Sequence, residues 1–94
     1  MNSLFISAGI DVGSDFSYMT LALLNQTIMG KPFKIVHNNI KSLERAVQII
    51  QEASEVHSLP TCIVMESTGV YHYPLYCYLR DKGFSVFLSA KKSA

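Results

Sequence analysis

Residues 6–13 read Ile-Ser-Ala-Gly-Ile-Asp-Val-Gly, and this stretch decides the fold. Its larger apolar residues and one alanine stand at every second position, which is the period of a β-strand: Ile6, Ala8, Ile10 and Val12. The alternate positions are small or polar, and Asp11 places a carboxylate inside this apolar run. The pattern predicts a central strand that carries Asp11 near its carboxyl end.

Two further strands are expected directly after the break at Gly13-Ser14-Asp15. Residues 18–24 are apolar and β-prone, Asn25-Gln26 is typical of a turn, and residues 28–37 form a weaker strand pattern interrupted by glycine and proline. Connections this short favour antiparallel neighbours.

The hydrophobic period then changes to three or four residues, which predicts an amphipathic helix. Its apolar positions are Ile40, Leu43, Val47, Ile50 and Ala53. Asn39 or Ser42 is suited to cap the amino end. Residues 61–65 follow as a short apolar run, the pattern of a strand buried on both faces.

A second helix is expected from Tyr71 or Tyr73 to Lys82, because Pro74 fits a first helical turn and Gly83 suits the position after a helix end. A last strand should span residues 84–88. The order β-β-β-α-β-α-β predicts an α/β fold with a mixed five-stranded sheet in the order 3-2-1-4-5, because the crossover rule places strand four beside strand one.

This order brings the carboxyl ends of strands one and four together, and with them Asp11 and Glu66. Convergent carboxylates suit a hard cation such as Mg²⁺ or Mn²⁺. Each acid also has a simpler interpretation: Asp11 could bond to the turn that follows it, and Glu66 could form a salt bridge or begin a helix. His72 and the tyrosines around it could stack on bases, but such a cluster more often packs a helix.

Composition limits the class of protein. The 94 residues suit one domain, and a net charge of +1 excludes a strongly basic nucleic-acid module. Cys62 and Cys77 are too few for a disulfide framework and are expected as small core residues. The residues show neither a signal peptide nor a membrane-length apolar run, so we expect a soluble cytoplasmic domain.

Gly9-Ile10-Asp11-Val12-Gly13 and Met65-Glu66-Ser67-Thr68-Gly69-Val70-Tyr71 resemble motifs of a known family, as do residues 79–84 and the segment ending Ala90-Lys91-Lys92. The chain is similar over essentially its whole length to the amino-terminal domain of insertion-sequence-110-type transposases, a group that includes pilin-gene DNA invertases. That domain is similar to the RuvC Holliday-junction resolvase and has a ribonuclease H-like fold.

The resemblance implies a DEDD site, in which four acids bind divalent metal for DNA cleavage and strand transfer. Asp11 matches the first acid and Glu66 the second; the other two belong to a later helix of the family. Residues 1–94 would then be a single partial domain that lacks the carboxy-terminal helices and is inactive alone. DNA, a structured guide RNA in the full-length protein and a second copy of the chain are the implied partners, in a bacterial or archaeal cytoplasm near the nucleoid.

Two other functions also fit the residues. Actin-like ATPases and sugar kinases open with a similar Gly-x-Asp-x-Gly turn, but they use later glycine-rich loops, and the chain has five glycines in all. A non-catalytic nucleic-acid-binding or assembly module would suit the aromatic second helix. The Glu-Ser-Thr-Gly-x-Tyr block favours the transposase over both.

Overall fold

The computed structural model describes residues 5–23, 28, 30–67 and 71–90. In these ranges the elements follow in the order β1 (Ile6–Val12), β2 (Phe16–Leu23), β3 (Phe33–Val36), α1 (Ile40–His57), β4 (Thr61–Ser67), α2 (Tyr73–Asp81) and β5 (Ser85–Ala90).

The strands form one sheet in the order β3-β2-β1-β4-β5. The two amino-terminal connections make β1–β2 and β2–β3 antiparallel, whereas β4 is parallel to both β1 and β5. The predicted order and the predicted strand directions are therefore confirmed. β1 is the central strand, since its backbone pairs with β2 on one side and with β4 on the other.

Both helices pack on the same face of this sheet. The core joins alternate residues of the strands to one side of each helix: Ile6, Ile10, Met19, Ile35, Val47, Ile50, Ile63, Met65, Leu75 and Leu79. The opposite face, here called the open face, includes these intervening strand residues: Ser7, Gly9, Asp11, Phe16, Tyr18, Thr20, Lys34, Cys62, Val64, Glu66, Phe87 and Ser89. Neither α1 nor α2 covers it, so its polar and charged side chains remain accessible.

Helix α1 begins where its capping chemistry requires. The Asn39 side chain accepts hydrogen bonds from the backbone N–H groups of Lys41 (3.0 Å) and Ser42 (3.2 Å), so Asn39 is the N-cap. The Ser42 hydroxyl instead accepts from the backbone N–H of Val36 at 2.8 Å, which joins α1 to the end of β3. Ser58 ends the helix in the left-handed conformation, with φ of 53°.

Helix α2 begins at Tyr73, one of the two predicted starts, and ends at Asp81, one residue before the predicted end. Pro74 lies in its first turn, where its missing N–H costs no intrahelical bond. Gly83 has φ of +91°, a conformation that favours glycine just after a helix end.

Several element boundaries differ from the prediction. β2 begins at Phe16 and β5 runs to Ala90, beyond the expected ends of both strands. β3 is only four residues long, because Gly30 has φ of +83° and Pro32 has no N–H to donate; Ile28 makes an isolated bridge to Ala22. The expected turn at 25–26 and the basic residues 91–92 lie outside the described residues.

The prediction that β4 is buried on both faces is wrong in this structure. Ile63 and Met65 are buried under the helices, whereas Cys62 and Val64 on the open face are only partly buried. Cys77 is exposed on α2, so it is not the core residue that was expected. No helix in the described part of the chain is long and apolar enough to cross a membrane.

Candidate metal centre on the open face

Asp11 and Glu66 are direct neighbours across the parallel β1–β4 pair. Adjacent strands lie about 4.8 Å apart, and side chains at paired positions project from the same face of a sheet. Both carboxylates are exposed on the open face. The two acids that sequence analysis singled out, 55 residues apart in the chain, are therefore side by side.

The pair lies in the middle of a row of residues that crosses the sheet. Tyr18 pairs with Asp11, Lys34 pairs with Tyr18, and Ser89 pairs with Glu66 on the far side. The acids thus have an aromatic ring and a cation on one flank and a small hydroxyl residue on the other. Glu66 lies within β4 rather than after it, because pairing with β5 continues to Ser67.

A shallow groove of about 700 Å³ runs beside the acids on the open face. Both acids line the groove, together with open-face residues of β1, β2 and β4 and with Pro32. The lining includes Ser7, Gly9, Asp11, Tyr18, Thr20, Pro32, Val64 and Glu66. A Cβ atom at Gly9 would meet the Thr20 carbonyl oxygen at 3.9 Å, an ordinary contact. The fold therefore tolerates a larger residue there, and glycine keeps the floor of the groove low.

The turn after β1 fixes the end of the strand that carries Asp11. The Gly13 N–H donates to the Phe16 carbonyl at 3.0 Å, and a Cβ atom at Gly13 would lie 2.6 Å from that oxygen. Only glycine fits this turn without displacing backbone. The His37 N–H donates to the Asp15 carbonyl at 3.1 Å, so the turn is also tied to the end of β3.

The donor set suits a hard divalent cation, because both groups are carboxylates that an ion can approach from solvent. It is also incomplete. In the described ranges no three residues among His, Cys, Asp and Glu come together as a metal-binding group. Mg²⁺ takes six ligands, so Asp11 and Glu66 would leave several positions to water, substrate or other carboxylates.

The three histidines do not come together in the described part of the chain. His37 bonds to Ser17 on the helix-covered side, His57 ends α1, and His72 precedes α2. Asp15 is an exposed turn residue.

Sequence reasoning missed Tyr18 and Lys34 as neighbours of the acids. Strand alternation assigns each of them to a face, but the register that aligns them with Asp11 depends on pairing across three strands. A correct start for β2 would have supplied the signal, because the tight turn at 13–15 sets which residue opposes Asp11.

Residues 8–93 match the sequence model of one protein family. The family is the DEDD transposases of the insertion-sequence-110 type, and its description is "Transposase". That range contains both acids and all but the first two residues of β1. No curated protein matches the sequence.

Solved structures share the fold at low identity. T. thermophilus RuvC in complex with a Holliday junction substrate is 13% identical, with a TM-score of 0.50, and the match covers 92% of this chain and 64% of that one. A Ppx/GppA family member from Aquifex aeolicus is 14% identical with a TM-score of 0.46, and the match covers 92% and 35% of the two chains. The chain therefore spans less than two thirds of either structure. The likeness to RuvC supports a ribonuclease H-like fold.

Proposed function

Since the chain belongs to the DEDD transposases of the insertion-sequence-110 type, we propose that it carries the first half of an acidic site for DNA cleavage and strand transfer. In this proposal residues 1–94 are a single, partial ribonuclease H-like domain. Asp11 supplies the first acid of the DEDD order and Glu66 the second. Two more carboxylates complete the site in the active transposase.

One observation supports this assignment above the others: Asp11 and Glu66 pair directly on the open face of the sheet. Placing two exposed carboxylates side by side is unfavourable for stability, because like charges at neighbouring cross-strand positions repel. A bound divalent cation removes that repulsion. The pairing therefore places two carboxylate groups where one divalent cation can contact both.

Asp11 and Glu66 are the residues that would hold Mg²⁺ or Mn²⁺, and a cation in this position supplies charge neutralisation at a phosphodiester. The protein's own contribution is positional. Strand pairing fixes the spacing of the two carboxylates, and the Gly13 turn fixes the end of β1. The groove beside them leaves room for a backbone phosphate.

DNA is the substrate that family membership supports. A structured guide RNA and a second copy of the chain are further proposed partners, and a bacterial or archaeal cytoplasm near the nucleoid is the proposed location. The second copy is supported by apolar exposure on β5, the last strand of the sheet, where Phe87 and Leu88 are each more than half exposed.

Calorimetric titration with Mn²⁺ tests the site. We expect weak, saturable binding to the chain, lost in Asp11→Asn and in Glu66→Gln and retained in Asp81→Asn, a control that removes an exposed acid of α2. Unchanged affinity in Asp11→Asn would show that Asp11 is not a ligand.

The 94-residue chain is expected to leave branched and linear DNA uncut with Mg²⁺ or Mn²⁺, because two carboxylates cannot fix two cations. Cleavage that disappears in Asp11→Ala would overturn this expected inactivity and would still support the site.

A further inference from the structure

Two aromatic rings lie exposed beside the acids, where burial does not explain them. Phe16 and Tyr18 occupy alternate positions of β2 on the open face, with 40% and 46% of their surfaces accessible. Their rings meet edge to face, with centroids 5.6 Å apart and planes at 86°. Each ring is held by the other, and part of each remains available to a partner.

A cation accompanies these rings. The Lys34 ammonium nitrogen lies 4.3 Å from the centroid of the Phe16 ring, and Lys34 pairs with Tyr18 across β2 and β3. This cation–π contact holds the positive charge over the open face, on the β3 side of Tyr18. Phe16, Tyr18 and Lys34 are called the aromatic strip below.

The strip adjoins the acids directly. Tyr18 pairs with Asp11, and both line the groove with Thr20 and Glu66. A ligand lying in the groove would therefore contact an aromatic ring, a hydroxyl and the two carboxylates. A strand that continues past Tyr18 would reach Lys34, which pairs with Tyr18 on β3.

Two of the three tyrosines of α2 provide a contrast. Tyr76 and Tyr78 are partly buried and pack against the core, which accounts for them structurally. Phe16 and Tyr18 belong to no such cluster among the described residues. An exposed ring that offers a stacking surface, with a cation placed for a phosphate, is the combination by which proteins bind unpaired nucleic acid strands.

We propose that the aromatic strip binds an unpaired DNA strand, with Tyr18 stacking on a base and Lys34 contacting a backbone phosphate. The choice of DNA rests on the proposed function. The inference adds to that function a way to hold the substrate, since the strip would position the strand whose phosphate faces Asp11 and Glu66. Tyr18 is thus a substrate-positioning residue rather than a metal ligand. Duplex DNA hides its base faces and would bind the strip poorly.

Fluorescence anisotropy with a labelled oligothymidine of about 12 nucleotides tests the strip, with EDTA present so that metal binding makes no contribution. Tyr18→Thr, which preserves strand propensity, should weaken binding about tenfold, whereas Tyr18→Phe should bind like the original chain. Tyr73→Thr is the matched control, because it removes an exposed ring on α2. Circular dichroism checks that each variant is folded.

Salt dependence tests Lys34 separately. Lys34→Met should reduce the slope of log affinity against log salt by about 0.7, the value for one phosphate contact on a single strand. Lys82→Met is the control, because Lys82 makes the same type of contact with Tyr78 on α2, at 5.3 Å.

Binding that is equal in Tyr18→Thr and the original chain would overturn the inference, as would tighter binding to duplex DNA or to oligouridine of the same length. A dimer that dissociates in Tyr18→Thr, with DNA affinity unchanged, would assign the strip to contact between copies instead. Loss of Mn²⁺ binding in Asp11→Asn is independent of all these results, so the strip and the metal site can fail separately.

Discussion

At the residue scale, a hydrogen bond between Ser17 and His37 joins β2 to the residue that follows β3, beside the end of β1. Ser17 is 1% exposed, and its hydroxyl oxygen lies 2.6 Å from His37 Nε2. Ser17 also pairs with Val12, the last residue of β1. This hydrogen bond therefore steadies the same turn that follows Asp11, from the helix-covered side of the sheet.

Removing either partner of this hydrogen bond should lower the free energy of unfolding, but by different amounts. Ser17→Ala leaves His37, which is half-buried and can bond to water, and should lower the free energy of unfolding by about 1 kcal/mol. His37→Leu strands a buried hydroxyl and should cost about 2 kcal/mol. Urea denaturation of both variants measures the difference, and a larger loss in Ser17→Ala would contradict this assignment.

Residue identity alone identified Asp11 and Glu66 but not their neighbours. Both acids interrupt or directly follow apolar strand patterns, and that contrast is visible in the sequence. Ser17 and His37 carry no such signal, because their bond joins positions 20 apart through the β2–β3 pairing. Exposure of Cys77 was also hidden, since a small apolar residue fits either face of an amphipathic helix.

At the element scale, α1 depends on its amino-terminal cap and on its link to β3. Asn39 satisfies two backbone N–H groups of the first turn, and Ser42 accepts from the last residue of β3. The connection between β3 and α1 is therefore short, and hydrogen bonds tie the first turn of the helix to the end of the strand.

Removing the cap should destabilise the chain measurably. Asn39→Ala should lower the free energy of unfolding by about 1 kcal/mol, because two N–H groups lose their acceptor. The exposed neighbour Asn38 is the matched control. Asn38→Ala should change the free energy of unfolding by less than about 0.5 kcal/mol. Equal losses in the two variants would show that the cap contributes nothing specific.

The type and order of the elements were predictable, whereas some of their ends were not. Hydrophobic period identified α1 and β1, and the crossover rule fixed the position of β4. The length of β3 was overestimated because residues 28–32 have strand-like apolar content but a backbone that glycine and proline interrupt. Burial of β4 on both faces was overestimated because apolar composition does not say how many layers cover a sheet.

At the scale of the whole molecule, β5 is an edge strand that carries two exposed apolar side chains. Phe87 and Leu88 are 58% and 51% exposed on this last strand of the sheet. An uncharged edge strand with exposed apolar side chains favours pairing with another chain. A second copy of the protein supplies the same edge in the antiparallel direction.

We therefore expect the chain to self-associate through β5. Sedimentation equilibrium should show a dimer or larger species. Phe87→Lys should convert it to monomer, because each copy gains one positive charge and the two charges repel each other across the interface. Val56→Lys, which replaces an exposed apolar residue near the end of α1, should leave association unchanged. A monomer at all concentrations would contradict the proposal.

The central claim is that Asp11 and Glu66 share one cation on the open face. The most direct test is the position of bound Mn²⁺, observed as paramagnetic broadening of amide signals in a nitrogen-15 correlation spectrum. Broadening should begin at residues 10–12 and 65–66, and Asp11→Asn should abolish it while Asp81→Asn leaves it unchanged. Broadening centred elsewhere, or the same pattern in Asp11→Asn, would contradict the claim.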